Sequence, residues 1–160
     1  MAKIKIFSDP YKPKYATLGS AGLDLYVVNI DILHGGENLD EYKEEAVIQP
    51  GGRCMVRTGT KVVLPHGYSG SIRLRSSLGK EGWIIPNAPG TIDSDYRGEI
   101  CILLTNTSNH AMVLTRGLRV AQLVPEYTPQ LEIEYVGYHD YHNESNSTIR
   151  GGGGFGSTGK

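Results

Sequence analysis

Apolar residues in this chain of 160 amino acids alternate with polar ones at a period of two. Ile4 and Ile6, Ile72 and Leu74, Ile100, Ile102 and Leu104, and Leu131, Ile133 and Tyr135 stand two apart, most of them with a polar or charged residue between. That period sends every second side chain to one face of an extended strand, so these segments predict half-buried β-strands. Turn chemistry separates them, at Gly19-Ser20, Pro50-Gly51-Gly52, Pro65-His66-Gly67 and Arg116-Gly117. Short strands between frequent turns predict an all-β barrel, sandwich or jelly roll. Only Ser76–Glu81 suits a short helical turn.

Two stretches break the pattern. Residues 33–46 are acidic and polar and hold a glycine pair, which predicts a surface excursion between strands, briefly helical over 41–46. A plain surface insertion is expected there, with a surface for an additional protein partner as the alternative. Residues 137–149 are polar and aperiodic and predict a linker. The chain therefore divides into a β-domain over 1–136, that linker, and a glycine-rich tail over 150–160. Within the linker, His139, Asp140 and His142 lie close in sequence, but nothing fixes the backbone there, and a solvated segment is expected in place of a metal site.

Bulk composition narrows the partners. The length suits one domain with a real core. A net charge of −1 provides no global field to recruit nucleic acid or an anionic membrane, so an anionic ligand must be held by individually placed arginines. Two cysteines, Cys54 and Cys101, stand in strand-like sequence and predict buried thiols, not a disulfide or a metal site. No apolar run has signal-peptide or membrane-spanning length, and a cytoplasmic location is expected, in the host cell for a viral protein. The sequons at Asn106, Asn143 and Asn146 are then without consequence.

Chemistry concentrates in two places. Residues 87–99 hold three carboxylates, an amide, a phenol and an arginine, and Arg73 and Arg75 precede them at strand spacing. Composition alone fits a solvated hairpin with ion pairs equally well. The tail Arg150–Lys160 (RGGGGFGSTGK) has six glycines in eleven residues and cannot build a core. It can wrap an anion with bare N–H groups while Arg150 supplies charge and Phe155 a flat apolar face.

Five segments, in order, resemble the trimeric dUTPase family. They are Ala21-Gly22-Leu23-Asp24-Leu25-Tyr26; Arg75-Ser76-Ser77-Leu78-Gly79-Lys80-Glu81-Gly82; Gly90-Thr91-Ile92-Asp93-Ser94-Asp95-Tyr96-Arg97-Gly98; Arg119-Val120-Ala121-Gln122-Leu123; and the tail from Arg150. Two features depart from the family pattern: Ser77 stands where glycine is more usual, and the excursion at 33–46 is longer than the common core requires. The resemblance implies a jelly-roll-like distorted β-barrel with one short helix, assembled as a homotrimer with active sites shared between subunits. It implies hydrolysis of dUTP to dUMP and pyrophosphate with Mg2+, which lowers dUTP and supplies dUMP for thymidylate synthesis.

Residue by residue, the resemblance makes Asp93 the carboxylate that activates the attacking water. Asp24 stands near the metal–phosphate cluster, either acting through the waters of Mg2+ without direct ligation or organising the surroundings of Asp93, and Gln122 lies near the phosphate and the water. Arg75, Ser76 and Ser77 hold the phosphate chain. Asn87 and the backbone of Gly90, Thr91 and Ile92 read uracil, and Tyr96 lies under the sugar and excludes a 2′-hydroxyl. Arg150 meets the γ-phosphate, Phe155 stacks on the base, and Gly156 and Ser157 complete the tail's contacts. Arg119 is expected to be a buried structural ion-pair partner and not a direct ligand.

Two rivals share the scaffold. A dCTP deaminase also carries an Arg-Ser-Ser segment, but its deaminating glutamate corresponds here to Leu103, which cannot carry a proton. A non-catalytic binding protein would have no need of Asp24, Asp93, Gln122, Arg150 and Phe155 together.

Overall fold

In the computed structural model the described residues are 2–35, 37–145 and 148–153. The chain divides into two units, Met1–Pro129 and Gln130–Lys160. The first holds thirteen strands and one helix: β1 (Lys5–Ser8), β2 (Leu23–Tyr26), β3 (Asn29–His34), β4 (Glu37–Lys43), β5 (Glu45–Ile48), β6 (Arg53–Arg57), β7 (Thr60–Val63), β8 (Tyr68–Leu74), α1 (Ser76–Glu81), β9 (Trp83–Ile84), β10 (Gly90–Ile92), β11 (Cys101–Asn106), β12 (Met112–Thr115) and β13 (Arg119–Tyr127). They form antiparallel sheets in the orders β10-β8-β13-β2, β4-β3-β6-β11-β9, β1-β7 and β12-β5. This is the expected all-β, jelly-roll-like architecture, built as separate sheets and not as one closed barrel.

Alternation explains how these sheets meet. In β11 the residues Ile102, Leu104 and Asn106 are buried while Cys101, Leu103 and Thr105 are half-buried. In β13, Val120, Ala121 and Leu123 are fully buried, while Gln122 and Val124 are half-buried. The inward sets join Leu25, Ile30, Val56, Trp83, Ile100 and Leu114 in one core. Asn106 is buried too, because its amide works as a tie: Nδ2 donates to the carbonyls of Ile48 and His110, and Oδ1 accepts from the Ser108 backbone and hydroxyl. That side chain is therefore no acceptor for a glycan. Cys54 and Cys101 are free thiols, Cys54 buried as expected but Cys101 only half-buried; burial pushes Cys54 up to about 12, and burial followed by the Glu99 charge pushes Cys101 up to about 11.

Three expectations are corrected. The segment 33–46 is neither a loose excursion nor helical, since it contributes the end of β3, all of β4 and the start of β5. Its backbone groups pair with the open side of β3, Ile30 with Lys43 and His34 with Glu37, through a ladder broken by register shifts. At the end of that ladder Tyr42 takes a left-handed φ of 63°, which its N–H, donating to the buried Asp31 carboxylate at 3.2 Å, helps to hold.

The second correction concerns the linker, which contains α2 (Tyr138–Ser145). Asp140 in its first turn favours the helix dipole, and the Tyr138 and His142 rings meet at 4.1 Å one turn apart. Third, Leu131, Ile133 and Tyr135 alternate as a strand would but form none, and all three are exposed. A strand needs a partner for its backbone, and periodicity alone does not supply one.

Candidate active site

The four-stranded sheet turns one face to the core and the other to a polar array. Antiparallel register sets Gln122 of β13 between Asp24 of β2 and Arg73 of β8, so the three side chains share a face. Asp24 is 1% exposed, and it is well satisfied. Arg119 Nη1 donates to its Oδ2 at 3.0 Å, Gln122 Nε2 donates to its Oδ1 at 3.0 Å, and Arg75 Nε lies 3.9 Å from Oδ1. Arg119 thus takes the ion-pair role expected of it, though its side chain is about half exposed. The close fit of β2 on β13 needs a residue without a side chain at position 22. A Cβ on Gly22 would lie 2.9 Å from Gln122 Cβ and 3.0 Å from Val124 Cγ2.

Arg75 also ends β8 and opens α1. It occupies the N-cap position with extended backbone and makes no side-chain cap bond. The first N–H groups of α1, at Ser76 and Ser77, therefore have no helical acceptor, and both residues are exposed. Leu78 fixes the helix by burying its side chain in the core. One strand-to-helix junction thus sets a guanidinium, two hydroxyls and open N–H groups beside the Asp24 cluster.

The remaining hairpin residues stand elsewhere. Gly90 pairs with Ile72, Thr91 with Ser71 and Ile92 with Gly70, so β10 lies at the opposite edge of the sheet from β2. Three strand spacings separate those edges, about 14 Å. Asn87, Gly90–Ile92 and Leu103 line a cavity of about 80 Å³ with Ile85 and Cys101. Asp93 follows β10, is exposed, and its carboxylate has no ion-pair or hydrogen-bond partner among the described residues. Tyr96 closes the turn, its N–H donating to Asp93 O at 3.1 Å and its hydroxyl to Glu99 O at 2.9 Å.

In the second unit, Arg150 Nε donates to Gly153 O at 3.0 Å, and Gly153 N donates back to Arg150 O at 3.0 Å. Phe155, Gly156 and Ser157 lie outside the described residues. Among the described residues no three His, Cys, Asp or Glu side chains converge to hold a metal ion.

One buried pair escaped the sequence reading. Asp31 is fully buried and receives Arg57 Nε at 2.9 Å. Burial pulls the Arg57 guanidinium down, but the charge and hydrogen bond of Asp31 outweigh it and hold the group above its ordinary value. The available signal was an aspartate between two isoleucines in a strand, which requires a buried cationic or N–H partner.

An arginine and open helix N–H groups beside a buried carboxylate, on a jelly-roll-like fold, offer the chemistry that a nucleotide hydrolase requires. The sequence matches the dUTPase family over residues 41–159. It is 47% identical over 148 residues to the deoxyuridine 5′-triphosphate nucleotidohydrolase of Anaplasma marginale, covering 92% of this chain and 88% of that protein. With the corresponding protein of a Hydrogenobaculum species it shares 41% identity over 156 residues, covering 97% and 94%. The fold is similar to that of the Staphylococcus bacteriophage 80alpha dUTPase solved with dUpNHpp, with TM-score 0.77, 20% identity and 99% of each chain covered. It is also similar to the Streptococcus mutans dUTPase, with TM-score 0.64, 26% identity, and 81% of this chain and 98% of that one covered. The chain belongs to the dUTPase family, and it hydrolyses dUTP to dUMP and pyrophosphate.

Proposed function

We propose that this dUTP diphosphatase works as a homotrimer whose active sites each combine residues of different subunits. The observation that carries the reading is the separation of Asp24 and Asp93. Asp24 lies on β2 and Asp93 follows β10, strands at opposite edges of one sheet about 14 Å apart, so on one chain Asp93 stands away from the Asp24 cluster. A three-fold assembly brings the hairpin of one subunit to the Asp24 face of the next.

In the completed site Asp93 takes the proton of the water that attacks the α-phosphorus. Its unpartnered carboxylate is free to accept that proton. Arg75, Ser76 and Ser77 bind the phosphate oxygens through a guanidinium, hydroxyls and the open N–H groups of α1. Gln122, fixed by Asp24, presents its remaining amide capacity toward the phosphate and the water. The Asn87 amide and the edge of β10 pair with uracil, and cytosine would leave buried groups unpaired there. Tyr96 lies under the sugar and excludes a 2′-hydroxyl. Arg150 meets the γ-phosphate and Phe155 covers the base, a stack worth about 1–3 kcal/mol.

The donor set bears on the metal. Asp24 already receives two hydrogen bonds and faces the Arg75 guanidinium, so it suits an ion carried by the triphosphate and its own waters, which Mg2+ retains readily. When bound, Mg2+ neutralises charge building on the phosphates.

Mixed trimers test the shared site. Chains carrying Asp24→Ala and chains carrying Asp93→Ala are each expected to be inactive alone. Co-refolded at equal ratio, they should regain about a quarter of parental turnover, because one interface in four unites the two intact carboxylates. A mixture as inactive as its components would sink the shared-site reading.

A further inference from the structure

We propose that Gly98 and Glu99 form a rigid seat that sets the position of the Tyr96 ring, which makes both of them positioning residues for sugar discrimination. This rests on the reading of Tyr96 as the residue beneath the sugar. The ring is 43% exposed, so one side is open to a ligand. The other side lies over Gly98, where an added Cβ would overlap the phenol oxygen and the adjoining ring carbon. The phenol donates to Glu99 O at 2.9 Å, which pins the far end of the ring to the same short segment.

That segment is anchored from behind on both its side chain and its main chain. Glu99 Oε1 accepts from Gly59 N at 2.7 Å, and Glu99 Oε2 lies 3.7 Å from Arg57 Nη1. Arg57 is itself held by the buried Asp31. The peptide whose carbonyl accepts the phenol also carries Ile100 N–H, which donates to Thr60 O at 2.8 Å. The junction of β6 and β7 thus grips the Glu99 carboxylate and the Glu99–Ile100 peptide together. A ring fixed at its face and its hydroxyl cannot retreat to admit a 2′-hydroxyl. A ring on a loose seat can.

The test uses four single variants of the full chain: Tyr96→Ala, Gly98→Ala, Glu99→Ala and Glu99→Gln. Each is assayed for kcat and KM with dUTP and with UTP, and its 13C-labelled tyrosine rings are followed by NMR, the Tyr96 signal being the one missing from Tyr96→Ala. The expected result for Gly98→Ala and Glu99→Ala is a shifted or broadened Tyr96 signal. Alongside it, dUTP-over-UTP selectivity should fall by about tenfold or more, through the KM values, with kcat on dUTP little changed. Glu99→Gln keeps an oxygen for Gly59 N–H and should restore most of both. Gly98→Ala disturbs no charge, so it carries the test alone if Glu99→Ala does not fold. An unmoved Tyr96 signal in the seat variants overturns the proposal whatever the kinetics. Parental selectivity in Tyr96→Ala would instead remove the role of Tyr96 in reading the sugar, while the ring signals still decide whether residues 98 and 99 seat it.

Discussion

Asp24 shows what a single position must satisfy in this molecule. A carboxylate that is 1% exposed persists because Arg119, Gln122 and Arg75 converge on it. Asp24→Asn keeps the shape and removes the charge. It is expected to cost about 1–3 kcal/mol, toward the lower end because both arginines reach solvent, and to reduce turnover sharply. Thermal melts and steady-state kinetics on one preparation check both effects. Asp93, exposed and unpartnered, should behave in the opposite way: Asp93→Asn abolishes turnover while leaving the melting temperature and dUTP binding intact.

The thiols give a pH-dependent prediction at the same scale. Cys54 is held up to about 12 and Cys101 up to about 11, both first by burial. Their contribution to stability is complete below the unfolded thiol value near 8.5 and is lost as pH rises toward the folded values. Denaturant midpoints should therefore decline above about pH 9, less so in Cys54→Ala. Folded protein at pH 8 should resist alkylation at Cys54, as intact mass would show.

At the level of elements, the contact of β2 with β13 holds the Asp24 cluster together. Gly22→Ala inserts a methyl group where Gln122, Val124 and the Leu123 carbonyl already stand. Overpacking of this kind costs about 1–3 kcal/mol, and here it would also separate Asp24 from Gln122, so turnover should fall together with stability. Calorimetry and kinetics of the variant check the pairing. The tail behaves differently. Removing Arg150–Lys160 is expected to lower turnover strongly without changing the melting temperature of the Met1–Pro129 unit.

Legibility in the sequence also varied by element. β11 was readable because it buries alternate residues, so the period is printed in the side chains. Ser76–Glu81 was readable as the one short helix of the β-domain. The pairing of β4 with β3 was not, because its evidence lies in backbone groups across a ladder with register shifts. Leu131, Ile133 and Tyr135 failed in the other direction, with the pattern of a strand but no partner for it among the described residues.

Across the whole molecule, the sequence by itself determined the β class and the family, and it supplied the side chains proposed to bind phosphate and activate water. Those properties follow from residue type and short-range order, since a period of two or an Arg-Ser-Ser junction is complete within a few positions. Tertiary structure alone decided which of those side chains meet. It set Asp24, Gln122 and Arg75 together through the register of β2, β13 and β8, and it left Asp93 at the far edge of the same sheet. It also joined Asp31, Arg57 and Glu99 behind Tyr96, from three positions far apart in the chain. Strand order and register are fixed by long-range backbone pairing and by the burial of one shared core, and neither is written in any local stretch of sequence.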